Sequence, residues 1–380
     1  MSKMKIIYCI HSTCNSGGME RVLSNKVNYL ANVPNYEIII ITTEQRGRPH
    51  FYKISSKVKC IDLGIDYSET INDGVLVKIF KSVIKYYKHK SKLKEVLISL
   101  RADIVVSMFN NDVSFLYKIK DGSKKVLEIH FCREFRLLAE RKGILRMIDL
   151  YKTYSNDRLV RKYDSFVVLT EEDKHNWKNN DNITVIYNSF WENGGAISRL
   201  NNKNILSIGR FSHQKNFELL IDLWKEISTL HPDWCLTIIG SGDFSQILQR
   251  IKRYSLESSV RILPPTDSIN NFYCESSIYL MTSRYEGFPM VLVEAQNFGL
   301  PIISVDCKCG PKEIINDGID GFLIANGDNS GFVNKVSQLM KNDKMRIDFG
   351  KMAKVNSIKF SEEKIMHQWI SLFEGIIISA

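Results

Sequence analysis

Short apolar runs alternate with amphipathic stretches along the whole chain, and this alternation constrains the fold more than any other feature of the sequence. KIIYCI, EIIIIT, VKCIDL, DIVVSM, KVLEIH and SFVVLT are too short for helices and rich in β-branched residues, so they read as buried strands. Helical patterns separate most of them. Strands apolar on both faces and linked through helices define a parallel sheet covered on both sides. After ITVIYN the pattern stops at SFWENGGAISRLNNKN, rich in Asn, Gly and Ser, which reads as a linker. A second series then runs through NILSIG, WCLTIIG, VRILPP, SIYLM, PIISVD and GFLIA.

At 380 residues the chain is too long for one ordinary core. The expected organisation is α/β throughout, with two Rossmann-like, doubly wound domains over 1–190 and 205–360 joined by a linker over 191–204. The last stretch, 361–380, has the pattern of an amphipathic helix that packs back on the first domain. Ligands of such sheets bind beyond the strand carboxyl ends, so the strand-to-helix loops of both halves are expected to serve one cleft.

The formal charge of +10 and pI near 9.0 point to an anionic partner. No run of eighteen apolar residues occurs, and MSKMKIIYCIHST is too soon interrupted for a signal peptide, so a cytoplasmic protein is expected. Eight cysteines lie without regular spacing, and Cys9, Cys60 and Cys235, inside apolar runs, are expected to be buried. Cys307 and Cys309 form a C-x-C without a partner pair, which argues against zinc. No nucleic-acid-binding module is recognisable.

Several strand-end loops carry residues suited to an anion. Gly17 and Gly18 in HSTCNSGGMERV follow the first strand and open a helix, where backbone amides can approach a ligand; a glycine-rich turn without a ligand fits the same residues. It is not a P-loop. In SIGRFSHQKN, Gly209 and Arg210 end a strand and Lys215 follows where a helix starts. Two cations at one strand end can neutralise a diphosphate, arginine through two parallel bonds and lysine as a point charge. The loop beginning at Gly240, GSGDFS, lacks the third glycine of a dinucleotide fingerprint, but it can pack against a base or ribose. No D-x-D pair exists, so the diphosphate site is expected to work without metal.

YEGFPMVLVEAQNFGLPIIS places Glu286 before a Gly-Phe-Pro turn and Glu294 in the following helix. Pro289 suits the first helical position and Gly299 the residue past the helix end. His130, at the end of KVLEIH, is expected to face the site. A lone histidine is as a rule structural, and its strand-end position is what favours function.

The most basic stretch is LVKIFKSVIKYYKHKSKLKEVLISLR. Leu76, Ile79, Phe80, Val83, Ile84 and Tyr87 fall on one helical face, expected to bury on the sheet, while Lys78, Lys81, Lys85, Lys88 and Lys92 lie largely elsewhere. With Arg133, Arg136, Arg141, Lys142 and Arg146 they would give the first half a basic surface for anionic lipid headgroups or a polyphosphate.

GGMERV, GRFSHQKN, SRYEGFPMVLVEA followed by GLPIISVD, and GPKEIINDGIDGFLI together resemble, in the expected order, the retaining glycosyltransferases of family 4, which have the GT-B fold. The resemblance implies transfer from a nucleotide diphosphate sugar, with no further cofactor, to a lipid-linked or cell-surface glycan acceptor. Glu286 and Glu294 match the family's E-x7-E pair, implying contacts to donor-sugar hydroxyls and to the ribose. Arg210 and Lys215 match the diphosphate-binding cations, with amides of Gly287, Phe288, Met290 and Val291 completing the cradle. His130 resembles the first-domain histidine that contacts the donor sugar, and Gly17 and Gly18 the glycine loop near phosphate and acceptor. The Cys-Lys-Cys before Gly310 departs from the usual small or proline-containing sequence.

The expected activity is therefore a UDP-dependent glycosyltransferase, peripheral on the inner face of the cytoplasmic membrane. A non-hydrolysing nucleotide-sugar epimerase would form product without acceptor. A nucleotide-sugar binding protein would be indifferent to loss of Glu286.

Overall fold

Seven parallel strands form one sheet and six form another, as seen in a computed structural model that describes residues 3–70, 74–138, 141–177, 180–190 and 194–378. The first sheet contains β1 (Met4–Ile10), β2 (Tyr36–Thr42), β3 (Lys59–Asp62), β4 (Ile104–Ser107), β5 (Lys124–Glu128), β6 (Ser165–Val168) and β7 (Ile183–Val185). Its order is β3-β2-β1-β4-β5-β6-β7, so the direction of winding reverses between β1 and β4. The second contains β8 (Asn204–Ile208), β9 (Cys235–Ile239), β10 (Val260–Leu263), β11 (Ile278–Met281), β12 (Ile302–Val305) and β13 (Gly321–Ile324), in the order β10-β9-β8-β11-β12-β13, reversing between β8 and β11. Such reversals leave a crevice at the strand carboxyl ends.

One compact unit comprises Met1–Tyr187 with Ile365–Ala380, and the other Asn188–Lys364. Of the linker expected over 191–204, residues 191–193 lie outside the described residues.

In the first unit the helices are α1 (Gly18–Leu30), α2 (Val75–Leu100), α3 (Ile144–Val160) and α4 (Glu171–Asn176). Ile7, Ile39 and Val105 pack with Leu93 and Leu97 on one face of the sheet, and Tyr8, Ile38 and Val126 with Leu23 and Val27 on the other. In the second unit α5 (Phe217–Leu230), α6 (Ser245–Arg253), α7 (Ile269–Cys274), α8 (Met290–Asn297), α9 (Pro311–Ile314), α10 (Asn329–Lys341) and α11 (Asp343–Ser357) surround the six-stranded sheet. The last helix, α12 (Glu362–Ile378), adds Ile365, Met366, Trp369 and Phe373 to the core of the first unit.

Three expectations require correction. Leu76, Ile79, Phe80, Val83, Ile84 and Tyr87 do not bury on the sheet; all are exposed, Leu76 by 83% and Phe80 by 68%. A 26-residue helix is about 39 Å long, whereas a four-residue strand spans about 13 Å, so the sheet covers only the part carrying His89, Leu93 and Leu97. Cys60 and Cys235 are exposed, because Cys60 lies on β3, an edge strand exposed along most of its length, and Cys235 is the first residue of β9, while Cys9, Cys307 and Cys309 are buried. The basic surface is also smaller than the residue count implies. Lys92 donates to the Leu63 carbonyl at 2.7 Å, Lys85 pairs with Glu69 at 3.0 Å, Arg133 with Asp157 at 2.6 Å, and Arg141 with Asp149. Lys78, Lys81 and Lys88 remain exposed.

Candidate active site

The winding of the second sheet brings the ends of β8 and β11 together, and the loops leaving them carry most of the predicted donor-side residues. After β8 the chain passes through Gly209 and the exposed Arg210. Gly209 donates its amide to the Ile239 carbonyl at 3.0 Å, and Phe211 to that of Ser241 at 2.8 Å, tying this loop to the one after β9. Gly240 is required there: a Cβ would stand 1.9 Å from the Gly209 carbonyl oxygen.

Lys215 lies in the turn before α5 rather than within it, because Asn216 takes a left-handed conformation (φ 54°) as the N-cap residue. The aliphatic stem of Lys215 crosses Gly209, 3.1 Å from where a Cβ would be. Its ammonium then donates to Glu286 Oε1 at 2.6 Å. Gln214 Nε2 donates to Glu286 Oε2 at 3.2 Å and to the Tyr285 carbonyl at 3.0 Å. Arg284 Nη2 donates to Asn216 Oδ1 at 2.9 Å, and the Arg284 amide to the Gln214 carbonyl at 2.8 Å. The two loops are thus zipped together, and Glu286, only 6% exposed, is no surface acid.

Pro289 is the N-cap residue of α8, one position before its expected place, and helical geometry begins at Met290. Gly287, Phe288, Met290 and Val291 surround that start, where first-turn amides have no partner within the helix. Gly299 stands past the helix end with φ 72°, as expected. Glu294 is buried, and its Oε2 accepts from the Tyr273 hydroxyl at 2.7 Å. The Tyr273 ring stacks on Phe298, with centroids 4.8 Å apart and planes 7° apart.

In the first unit, Gly17 caps α1 after β1, beside the winding reversal. The Glu20 carboxylate folds back over it, 2.2 Å from where a Gly17 Cβ would stand, and Gly18 is exposed. The first turn of α1 therefore already carries a negative charge at its positive end.

His130 lies two residues past the end of β5, its side chain only 7% exposed. Its Nε2 is 3.1 Å from Glu128 Oε1, off the line a hydrogen bond needs. Lys26 of α1 donates to the same oxygen at 2.5 Å. Burial alone would raise the Glu128 carboxyl, but Lys26 and then His130 outweigh it and hold the group well below the usual carboxylate range.

Gln214, Tyr273, Lys26 and Glu128 were not singled out by the sequence. Gln214 adjoins Lys215, and Glu128 shares a strand face with His130 by the two-residue period, so both left a local signal. Tyr273 stands 21 residues before Glu294 and left none.

Two doubly wound parallel sheets, the second carrying Lys215 and Gln214 on the buried Glu286 and, on α8, the buried Glu294, have the architecture of the GT-B class. Residues 195–356 match the family described as glycosyl transferases group 1. The chain is 31% identical over 377 residues to the amylovoran biosynthesis glycosyltransferase AmsD of Erwinia amylovora, covering 96% of this chain and 98% of that one. It is 26% identical to the GalNAc-alpha-(1->4)-GalNAc-alpha-(1->3)-diNAcBac-PP-undecaprenol alpha-1,4-N-acetyl-D-galactosaminyltransferase of Campylobacter jejuni, covering 98% and 99%. The crystal structure of HepE from Anabaena in complex with UDP and glucose is similar with a TM-score of 0.75 at 16% identity, covering 98% of this chain and 100% of that one. The chain belongs to the group 1 glycosyltransferases.

Proposed function

We propose that this glycosyltransferase is a retaining enzyme of family 4 that moves a hexose or N-acetylhexosamine from UDP to a lipid-linked or cell-surface glycan acceptor, without a metal ion. The observation that carries this reading is the Lys215–Glu286 pair braced by Gln214 at the reversal of the second sheet. A donor diphosphate draws the Lys215 ammonium and Arg210 onto its oxygens, and Glu286 then accepts from sugar hydroxyls. Glu294, held by Tyr273, accepts from the ribose.

As the bond from anomeric carbon to diphosphate oxygen breaks, negative charge grows on the leaving nucleotide. Arg210, Lys215 and the start of α8 stabilise it more there than in the ground state. The acceptor oxygen bonds to the anomeric carbon on the face the nucleotide leaves, and its proton passes to a phosphate oxygen of the donor. Neither glutamate is the nucleophile. The UDP and glucose of the HepE complex support this donor class, and the undecaprenol diphosphate in the name of the Campylobacter relative supports a lipid-linked acceptor. Turnover in the presence of a chelator tests the metal-free reading; activity abolished by chelation and restored by magnesium contradicts it.

The acceptor reading extends to the membrane. Leu76, Ile79, Phe80 and Tyr87 are exposed on α2 beside Lys78, Lys81 and Lys88, a combination suited to the interface of an anionic bilayer. Among the described residues no helix is long and apolar enough to cross a membrane. A peripheral site on the inner face of the cytoplasmic membrane follows from this reading. Binding to phosphatidylglycerol vesicles should fall in Phe80→Ser and, at higher salt, in the unaltered protein. Salt-independent binding, or an α2-dependent dimer without vesicle binding, contradicts it.

A further inference from the structure

In the first unit one ion pair lies in surroundings that are otherwise apolar. Lys26 is 4% exposed and Glu128 is fully buried, among Ile, Val and Tyr side chains contributed by β1, β2, β4 and β5. Trp369 of α12 lies over the Lys26 ammonium, 3.6 Å from its ring centroid, and the Tyr8 ring is 5.8 Å away. A buried ion pair is weak support for stability, since apolar residues of similar volume commonly serve as well. This pair is also incompletely satisfied, because Glu128 Oε2 has no hydrogen-bond partner. Stability alone does not account for a carboxylate here.

Position does. Glu128 ends β5, and His130, two residues on, projects to the same side. Glu128 Oε1 is shared between the Lys26 ammonium and His130 Nε2. We propose that Glu128, anchored by Lys26 and covered by Trp369, is a positioning residue that fixes the ring of His130. The carboxylate stands 3.1 Å from the Nε2 edge of the imidazole and so sets which way the ring faces. Lys26 keeps Glu128 from turning away, and the last helix of the chain thereby bears on a histidine at a strand end of the first unit. The consequence for transfer rests on the reading of His130 given above.

The double variant Lys26→Met/Glu128→Gln removes both charges together and avoids leaving one buried alone. Its fold is checked by circular dichroism, and its His130 ring by two-bond nitrogen–proton correlation, assigned with His130→Gln. The folded double variant should lose the wild-type ring-nitrogen pattern, and kcat should fall on the order of tenfold to a hundredfold with donor KM little changed. An unchanged ring pattern in the folded double variant overturns the assignment. Should that variant fail to fold, Glu128→Asp, which keeps the charge and withdraws it by one methylene, makes the same comparison. An altered ring pattern together with wild-type turnover in His130→Ala supports the positioning of the ring and removes His130 from the transfer reaction.

Discussion

The Lys215 ammonium and the Glu286 carboxylate are hydrogen-bonded at 2.6 Å, so the cation expected on a diphosphate and the acid expected on a sugar hydroxyl form one pair. Their coupling makes single changes informative. Removing the lysine leaves a buried carboxylate with Gln214 as its remaining side-chain donor.

Lys215→Ala and Arg210→Ala should each lower kcat/KM by about 2 to 4 kcal/mol, the scale for groups that meet developing charge. Steady-state kinetics with a fixed acceptor measures this. Near wild-type values in both would remove the diphosphate assignment.

Tyr273→Phe deletes the donor to Glu294 Oε2 while keeping the stack on Phe298. UDP affinity by calorimetry should weaken by about 1 kcal/mol, the usual worth of one hydrogen bond, and more in Glu294→Gln. If Glu294→Gln weakens binding and Tyr273→Phe does not, the tyrosine is only a packing residue.

How much of this could be read in advance differs between sheet and site. Runs such as EIIIIT and WCLTIIG are apolar on both faces, so strand positions and the parallel α/β class were legible. Helical periodicity in the 75–100 segment was equally legible, but whether its apolar stripe is covered depends on how far the sheet extends, which no local pattern records. Glu286 and Glu294 were found from their motif, and their burial was not, because it depends on Lys215, Gln214 and Tyr273 arriving from distant segments. The lysine count misled for a related reason: Lys85 and Lys92 are spent on carbonyl and carboxylate groups of their own unit.

Asp112, in the turn after β4, is buried, and the neighbouring Ser107 hydroxyl and its own backbone amide offset that burial only in part. Burial pushes its carboxyl up to about 6 from 3.8. The native state therefore holds a proton that the unfolded chain releases, and stability falls as pH rises through this interval. A shift of this size corresponds to about 3 kcal/mol. Asp112→Asn, relative to the unaltered protein, should gain about 2 to 3 kcal/mol of unfolding free energy between pH 4 and pH 7.5. Urea unfolding at the two pH values measures it, and an equal difference at both contradicts the account.

Gly240→Ala should cost about 1 to 3 kcal/mol of stability, because its Cβ meets the Gly209 carbonyl at 1.9 Å and the loops after β8 and β9 must part. Donor KM should rise with it, since Arg210 and Lys215 are carried on the displaced loop. Unchanged urea midpoint and KM would show that the two loops are not tied.

Incubation of the purified protein with a panel of nucleotide sugars and a bacterial membrane lipid extract, followed by mass spectrometry and anomeric NMR of the products, tests the central claim most directly. One UDP-sugar should add a single hexose or N-acetylhexosamine to a lipid-linked acceptor with the donor's anomeric configuration retained, and Lys215→Ala should form far less of the product. An inverted linkage, or conversion of the nucleotide sugar without any acceptor, would contradict the account.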